Sequence, residues 1–358
     1  MKEEVERVLS KYAGVELTFE SPGFLEFVVV SGSIERYFNE VFKELVSLGY
    51  QPLLTESAGH EVVRVFRVGL RGFNKVIYHV LAAATVLAVA VTGYFSSLSF
   101  YECLGGRGDF TLSTAIFVLS VLVPLALHEL GHFVASRKAD VPTPLPMFIP
   151  APVISPLGTF GAVIAVRFLP RDRKSLAMLG ISGPLVGVIV SSLTLVVTLS
   201  MSPAVRVEEL TCPGGVTPIG FAPMLMYIML LTGLVQYPEG TIVILHPAAL
   251  ASMLLLLIHF ANLLPIGQLD GGHVLRSVTD INLHRAISLL VPLILIVLSI
   301  FSPTYRWLGF FAVLAILISG FRPHIGYSNQ LSKMSSQERL YLLLIYLLLL
   351  FVTAPVPL

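Results

Sequence analysis

Two hydrophobic rhythms divide the chain. Over residues 1–72 apolar and polar positions alternate at short periods. Ile34, Tyr37, Phe38, Val41, Phe42, Leu45 and Val46 fall at helical spacing between Ser33, a candidate N-cap, and Gly49, a candidate stop. A short polar helix precedes two strand-like runs, ELTFE and FLEFVVV, split by Ser21-Pro22-Gly23. Two further strands are expected near 50–55 and 61–69. The resulting α-β-β-α-β-β order predicts a small α+β sandwich, helices on one face of an antiparallel sheet. From Asn74 the rhythm gives way to long apolar runs. About 20 apolar residues cross a bilayer core, which places candidate spans near 74–97, 111–136, 176–200, 247–265, 285–302, 305–320 and 339–356. Segment 221–235 is apolar but short, as an interfacial or re-entrant piece would be. Segment 143–166 is apolar too, but its prolines and glycines forbid a continuous helix. Its β-branched runs suit extended strands around Gly158, a membrane-associated β-hairpin.

Composition agrees with that map. The chain is 55% hydrophobic and 13% charged, with a mean hydropathy of +0.84, whereas soluble domains carry about 25% charged residues. The expected fold class is a polytopic α-helical membrane protein of about seven transmembrane helices, with a small soluble α+β domain at its amino terminus. A net charge of +1 and the lack of any basic run speak against nucleic acid as a partner. MKEEVERVLSKYAG has no apolar signal-peptide core, so insertion is expected to rely on internal spans.

Lysine and arginine placement orients the map. With a cytosolic amino terminus, segments 1–75, 137–175, 266–285 and 321–339 hold 20 of the 23 basic residues, leaving Arg107, Arg206 and Arg306 outside. The two cysteines, Cys103 and Cys212, then share the outer side. There a disulfide and two unpaired loop residues are equally permitted, and a thiolate zinc site is not available.

One candidate span carries chemistry that lipid does not welcome. LALHELGHFVAS (125–136) contains His128, Glu129 and His132. On a helix, positions i and i+4 share a face, so both imidazoles can reach one Zn²⁺, with Glu129 beside them as a base. Ionisable groups inside a span are costly and mark function. Catalytic zinc usually keeps three protein ligands. The third candidate is Asp270, in NLLPIGQLDGGH (262–273), where Asn262 and Pro265 interrupt a span at matching depth. Gly183 and Gly187 read as a small-residue pair for close helix packing. His259 and His273 are candidates to support the ligands, while His79, His246, His284 and His324 sit near span ends, where an interfacial place suffices. A cation transporter is the rival class, but a transport site has no need of a general base such as Glu129. A dead scaffold is the other, and it should have lost one of His128, Glu129, His132 or Asp270.

HELGH, GTFGAVI (158–164), SGPLVG (182–187) and the Asn262-x-x-Pro265-x-x-x-Leu269-Asp270-Gly271 motif occur in that order. Together they resemble the site-2 protease family of intramembrane zinc metalloproteases over roughly residues 74–320. The resemblance implies His128, His132 and Asp270 as zinc ligands, Glu129 as catalytic base, and Asn262 as a donor near the scissile carbonyl. It implies transmembrane-helix proteins in a lipid bilayer as substrates, and an active site toward the cytosolic side. An unwound substrate needs new backbone partners, and the hairpin strand at Gly158, Thr159, Phe160 and Gly161 is a candidate to supply them by β-augmentation. The expected organisation is a soluble cytosolic domain at 1–72, the protease core at 73–335, and an extra transmembrane helix at 336–358. No segment reads as a PDZ or CBS domain.

Overall fold

A computed structural model describes residues 1–69, 75–106, 108–152, 154–164, 167–212, 215–302, 305–319 and 324–357. The expected boundary at 72–73, the start of the first span at Asn74, Arg107 and the last residue of the sixth span, Gly320, lie outside the described residues.

The amino-terminal part has the expected order: α1 (Lys2–Leu9), β1 (Ala13–Ser21), β2 (Phe24–Gly32), α2 (Phe38–Ser47), β3 (Tyr50–Ser57) and β4 (His60–Arg67). The sheet runs β1-β2-β4-β3, every neighbour antiparallel. Alternation on β2 sends Leu25, Phe27 and Val29 inward, where they meet Val41, Phe42 and Leu45 of α2. The expected helix at 33–48 starts later than its periodicity suggests, because residues 35–37 form a tighter turn. Ser33 Oγ accepts from the Arg36 amide at 3.4 Å, and the Glu61 carboxylate adds a tertiary cap by accepting from the amides of Ile34 and Glu35. Ala139, Val141 and Phe168, all from beyond the sheet, are buried in this same core.

Lys11 and Tyr12 donate to the Glu44 carboxylate at 2.5 and 2.7 Å. These bonds hold Glu44 below the usual carboxylate range and raise the Tyr12 phenol to about 12. A depressed carboxyl stabilises the fold above its unfolded pKa, and that contribution is lost as pH falls through the folded value. A raised phenol acts at the other end, its contribution lost as pH rises through about 12. Glu44→Gln is therefore expected to flatten the acid limb of this domain's stability by under about 1 kcal/mol, as for other exposed pairs. Hydrogen exchange of the domain between neutral pH and pH 3, in the full chain, measures it.

The remaining elements are α3 (Lys75–Cys103), α4 (Phe110–Lys138), β5 (Met147–Pro150), β6 (Thr159–Val163), α5 (Arg173–Leu199), β7 (Ala204–Val205), β8 (Phe221–Pro223), α6 (Met224–Leu231), β9 (Ile242–Val243), α7 (Pro247–Leu263), α8 (Asp270–Val278), α9 (Ile281–Phe301), α10 (Arg306–Ser319), α11 (Ser336–Thr353) and β10 (Pro355–Pro357). Five of these helices, α3, α4, α5, α9 and α11, are long and apolar enough to cross a membrane. Seven spans were expected. The other two, α7 and α10, are shorter because Pro247 and the Asn262–Pro265 break bound α7, and α10 has 14 residues, about 21 Å at 1.5 Å each. The apolar segment at 221–235 forms only β8 and the eight-residue α6, and β8 pairs with β10. The expected hairpin at 143–166 is present as β5 paired antiparallel with β6. Cys103 and Cys212 form a disulfide between the end of α3 and the 200–220 loop.

Helix ends account for most of the aspartates. Asp109, Asp172 and Asp280 each accept backbone amides at the start of α4, α5 and α9. Asp140 pairs with Arg171 at 3.3 Å. Asp270 also stands at a helix start, as the first residue of α8, but its carboxylate faces His128 and His132.

A candidate metal centre between four helices

Helix α5 packs against α4, α7 and α8, and the site lies among them. Helix α4 runs unbroken through Pro124 and presents His128 and His132 one turn apart. Helix α7 stops at Leu263, the chain crosses residues 264–269, and α8 begins on Asp270. Gly271 and Gly272 make this reversal possible. A Cβ on Gly271 would lie 1.9 Å from the Leu263 carbonyl, and one on Gly272 2.3 Å from the Gly267 carbonyl. The LDGG motif is thus as much a packing device as a chemical one.

Three donor atoms converge. His128 Nε2 and His132 Nε2 lie 3.0 Å apart, and the Asp270 carboxylate oxygens lie 3.5 Å from the first and 3.3 Å from the second. Ligands about 2.05 Å from a tetrahedral zinc stand roughly 3.3 Å from one another, so the donor set and its spacing fit that ion. Among the described residues this is the one His/Cys/Asp/Glu group so arranged. His132 donates from Nδ1 to the Leu179 carbonyl at 2.8 Å, which leaves Nε2 with its lone pair facing the group. His128 stacks on His259, centroids 5.0 Å apart and planes 15° apart, and His259 Nε2 lies 3.3 Å from Ser191 Oγ.

Gly183 and Gly187, expected only to bring helices close, do so against the imidazoles themselves. A Cβ on Gly183 would lie 2.1 Å from His132 Nε2, and one on Gly187 2.9 Å from His128 Nδ1. Gly180 is similarly tight, 2.7 Å from the Asp270 carbonyl. The small residues of α5 form a cradle for the two imidazoles and for the backbone that carries Asp270.

The group opens on a cavity of about 510 Å³ lined by His128, Glu129, His132, Asp270 and Asn262. Glu129 is buried beside the histidines, and Asn262 occupies the last turn of α7. The hairpin reaches the cavity toward the end of β6. Gly158, at φ +75°, is packed on α3, where a Cβ would meet the Ala88 carbonyl at 2.7 Å. Thr159 is buried and donates to the Ile149 carbonyl, Phe160 is exposed, and Gly161 adopts φ +97°. The cavity wall is formed three residues later, by Ala162, Val163 and Ile164. Three histidines expected at interfacial span ends, His246, His284 and His324, are instead buried. His324, expected at an interface, is buried in the cavity wall, its ring 4.9 Å from that of His273. His246 caps α7 and lies 3.0 Å from Ser113 Oγ. Nothing in the local sequence of His324 could have placed it there, because more than 50 residues separate it from Asp270.

Long apolar helices around a His/His/Asp group beside a glutamate mark a membrane protein with a candidate metal centre. The family model for Peptidase family M50 matches residues 116–302, and the chain belongs to that family, the site-2 proteases. It is 31% identical over 165 residues to the probable zinc metalloprotease EGY1, chloroplastic, of Oryza sativa subsp. japonica, covering 44% of this chain and 27% of that protein. It is 30% identical over 177 residues to the EGY1 protein of Arabidopsis thaliana, covering 47% and 30%. With EGY2 of the same plant it shares 28% over 158 residues, covering 43% and 27%. The match therefore spans under a third of the length of these relatives.

Proposed function

We propose that the chain is an intramembrane zinc metalloprotease that hydrolyses peptide bonds within or near transmembrane helices of membrane-protein substrates. The observation that carries the reading is the 3.0–3.5 Å convergence of His128, His132 and Asp270 beside Glu129 in a cavity among apolar helices. His128, His132 and Asp270 hold the ion. When bound, zinc supplies Lewis-acid polarisation of the scissile carbonyl and makes water acidic enough to lose a proton near neutral pH. Glu129 accepts that proton and delivers it to the leaving amine. The Asn262 carboxamide donates to the developing oxyanion or to substrate backbone. The free edge of β6 receives the unwound substrate, with Gly158 to Gly161 shaping the hairpin and residues 162–164 facing the cavity.

Residues 1–72 form a soluble cytosolic domain, 73–335 the protease core, and 336–358 an additional transmembrane helix. The site opens toward the cytosol. Two features favour this orientation: the basic residues cluster on the amino-terminal side, and the Cys103–Cys212 bond belongs in an oxidising compartment.

The test is zinc content and cleavage measured together. Purified full chain is expected to hold one zinc per chain and to cut a membrane-embedded reporter helix. Asp270→Ala is expected to weaken zinc binding at least tenfold and to stop cleavage. Unchanged zinc affinity in that variant removes Asp270 from the ligand set. Zinc flux into sealed vesicles without any cleavage would replace the protease reading with a transporter.

A further inference from the structure

The amino-terminal sheet does not end at β3. Residues 328–330 lie along its edge: the Leu54 amide donates to the Ser328 carbonyl at 2.9 Å, and the Gln330 amide to the Leu54 carbonyl at 3.0 Å. Asn329 and Leu54 pair in parallel register. On its other side the same segment binds the stretch leading into α5. The amide of Ser328 donates to the Pro170 carbonyl at 2.8 Å, and that of Asn329 to the Arg171 carbonyl at 2.9 Å. Gln51 closes the joint. Its buried carboxamide donates to Ser328 Oγ and accepts from the Leu169 amide at 2.7 Å. Ser328 is therefore held three ways, by amide, carbonyl and hydroxyl, to two different parts of the molecule.

Both stretches of this joint continue into the wall of the metal cavity. Phe168, Leu169 and Pro170 line it from one stretch, His324 and Gly326 from the other. Phe168 is at the same time buried in the core of the amino-terminal domain. Arg276, six residues after Asp270 on α8, fastens the second stretch. Its guanidinium donates to the His324 carbonyl at 3.2 Å, to the Ile325 carbonyl at 3.4 Å and to the Thr279 carbonyl at 2.9 Å. It also lies over the Tyr327 ring, 5.4 Å from the centroid. Gly326 sits against it at φ +98°, where a Cβ would come within 3.2 Å of the guanidinium carbon. A buried arginine that spends its donors on a loop's carbonyls holds that loop rather than a ligand.

We infer that residues 324–330 are a strap through which the amino-terminal domain shapes the substrate cavity, with Gln51 and Arg276 as positioning residues for substrate. This rests on reading the cavity as the protease site. The domain cannot leave the strap without unloading the wall, because the bonds that dock it and the bonds that brace residues 169–171 meet on Ser328 and Gln51. The metal trio lines the same cavity from α4 and α8, and its donor atoms bond to one another rather than to the strap.

The test uses full chain in lipid nanodiscs, with Gln51→Leu and Ser328→Pro as two independent breaks in the joint. Hydrogen exchange at Leu54 and Gln330 reports docking, and zinc per chain reports the trio. The dissociation constant of a fluorescent reporter helix, measured in a Glu129→Gln background, reports the cavity without needing turnover. Lost protection, a fivefold or larger rise in the dissociation constant and unchanged zinc are expected. In the Glu129 chain KM rises by the same factor while kcat stays within twofold. Lost protection with unchanged reporter affinity overturns the proposal, as does protection that survives both variants, or zinc lost along with docking. A wild-type chain that binds the reporter and never cuts it would refute the protease reading, while the reporter affinities would still decide the strap.

Discussion

Glu129→Gln is expected to lower kcat for a membrane-embedded reporter by on the order of 10³, the usual worth of a positioned general base, while zinc content stays at the wild-type level. The side chain is buried in the cavity next to His128 and His132 but stands outside the group of three converging donors. Glutamine keeps its size and removes only the ability to take a proton. Metal binding and proton transfer should therefore separate cleanly in this variant. A transporter predicts the opposite pattern, because a permeating cation needs ligands and no base. Kinetics on the reconstituted variant, with zinc measured on the same sample, decide between them, and undiminished cleavage would remove Glu129 from the mechanism.

The second large effect concerns a residue with no functional group at all. Gly183→Ala places a methyl 2.1 Å from His132 Nε2 and within 2.6 Å of two ring carbons. The ring has little room to yield, because Nδ1 is tied to the Leu179 carbonyl and Nε2 faces His128 and Asp270. Moving it breaks either the orienting bond or the ligand group. Zinc affinity should fall at least 10-fold, the lower end of what loss of a ligand's orienting partner costs, and cleavage should fall with it. Gly187→Ala is expected to do less, since its methyl meets the edges of His259 and His128 at 2.6 to 2.9 Å. Gly220→Ala serves as the control, with nothing within 4 Å of its Cβ. Zinc titration of the three purified variants gives the ranking. Equal affinity for Gly183→Ala and Gly220→Ala would show that the cradle has slack.

The difference between these two variants marks where sequence reading stops. His128, Glu129 and His132 are legible because one helix brings them together, and i, i+4 spacing is a local property. Asp270 is legible at longer range because a broken span is itself a sequence feature, and Asn262 and Pro265 announce that break just before it. Gly183 and Gly187 were visible as a small-residue pair within the SGPLVG motif, but what a glycine makes room for depends on the neighbouring helix. His324 and Gln51 were not legible. Each depends on a contact across more than 50 residues, and no local pattern announces it. The count of spans is a related case: five helices among the described residues have the length and composition to cross a membrane, and α7 and α10 are shorter apolar helices. Hydropathy measures apolar length, whereas α7 is bounded by Pro247 and the Asn262–Pro265 break.

By itself the sequence determined the class of protein, the element order of the amino-terminal domain and the three residues that converge in the candidate metal centre. Period, apolar length and side-chain chemistry are all carried by neighbours along the chain. Only the tertiary structure decided that α5 cradles the imidazoles, that the hairpin meets the cavity at residues 162–164, and that the amino-terminal domain is tied to the cavity wall through Ser328. Those are matters of which surfaces pack together, and close packing is settled by the summed fit of many distant residues rather than by any one stretch.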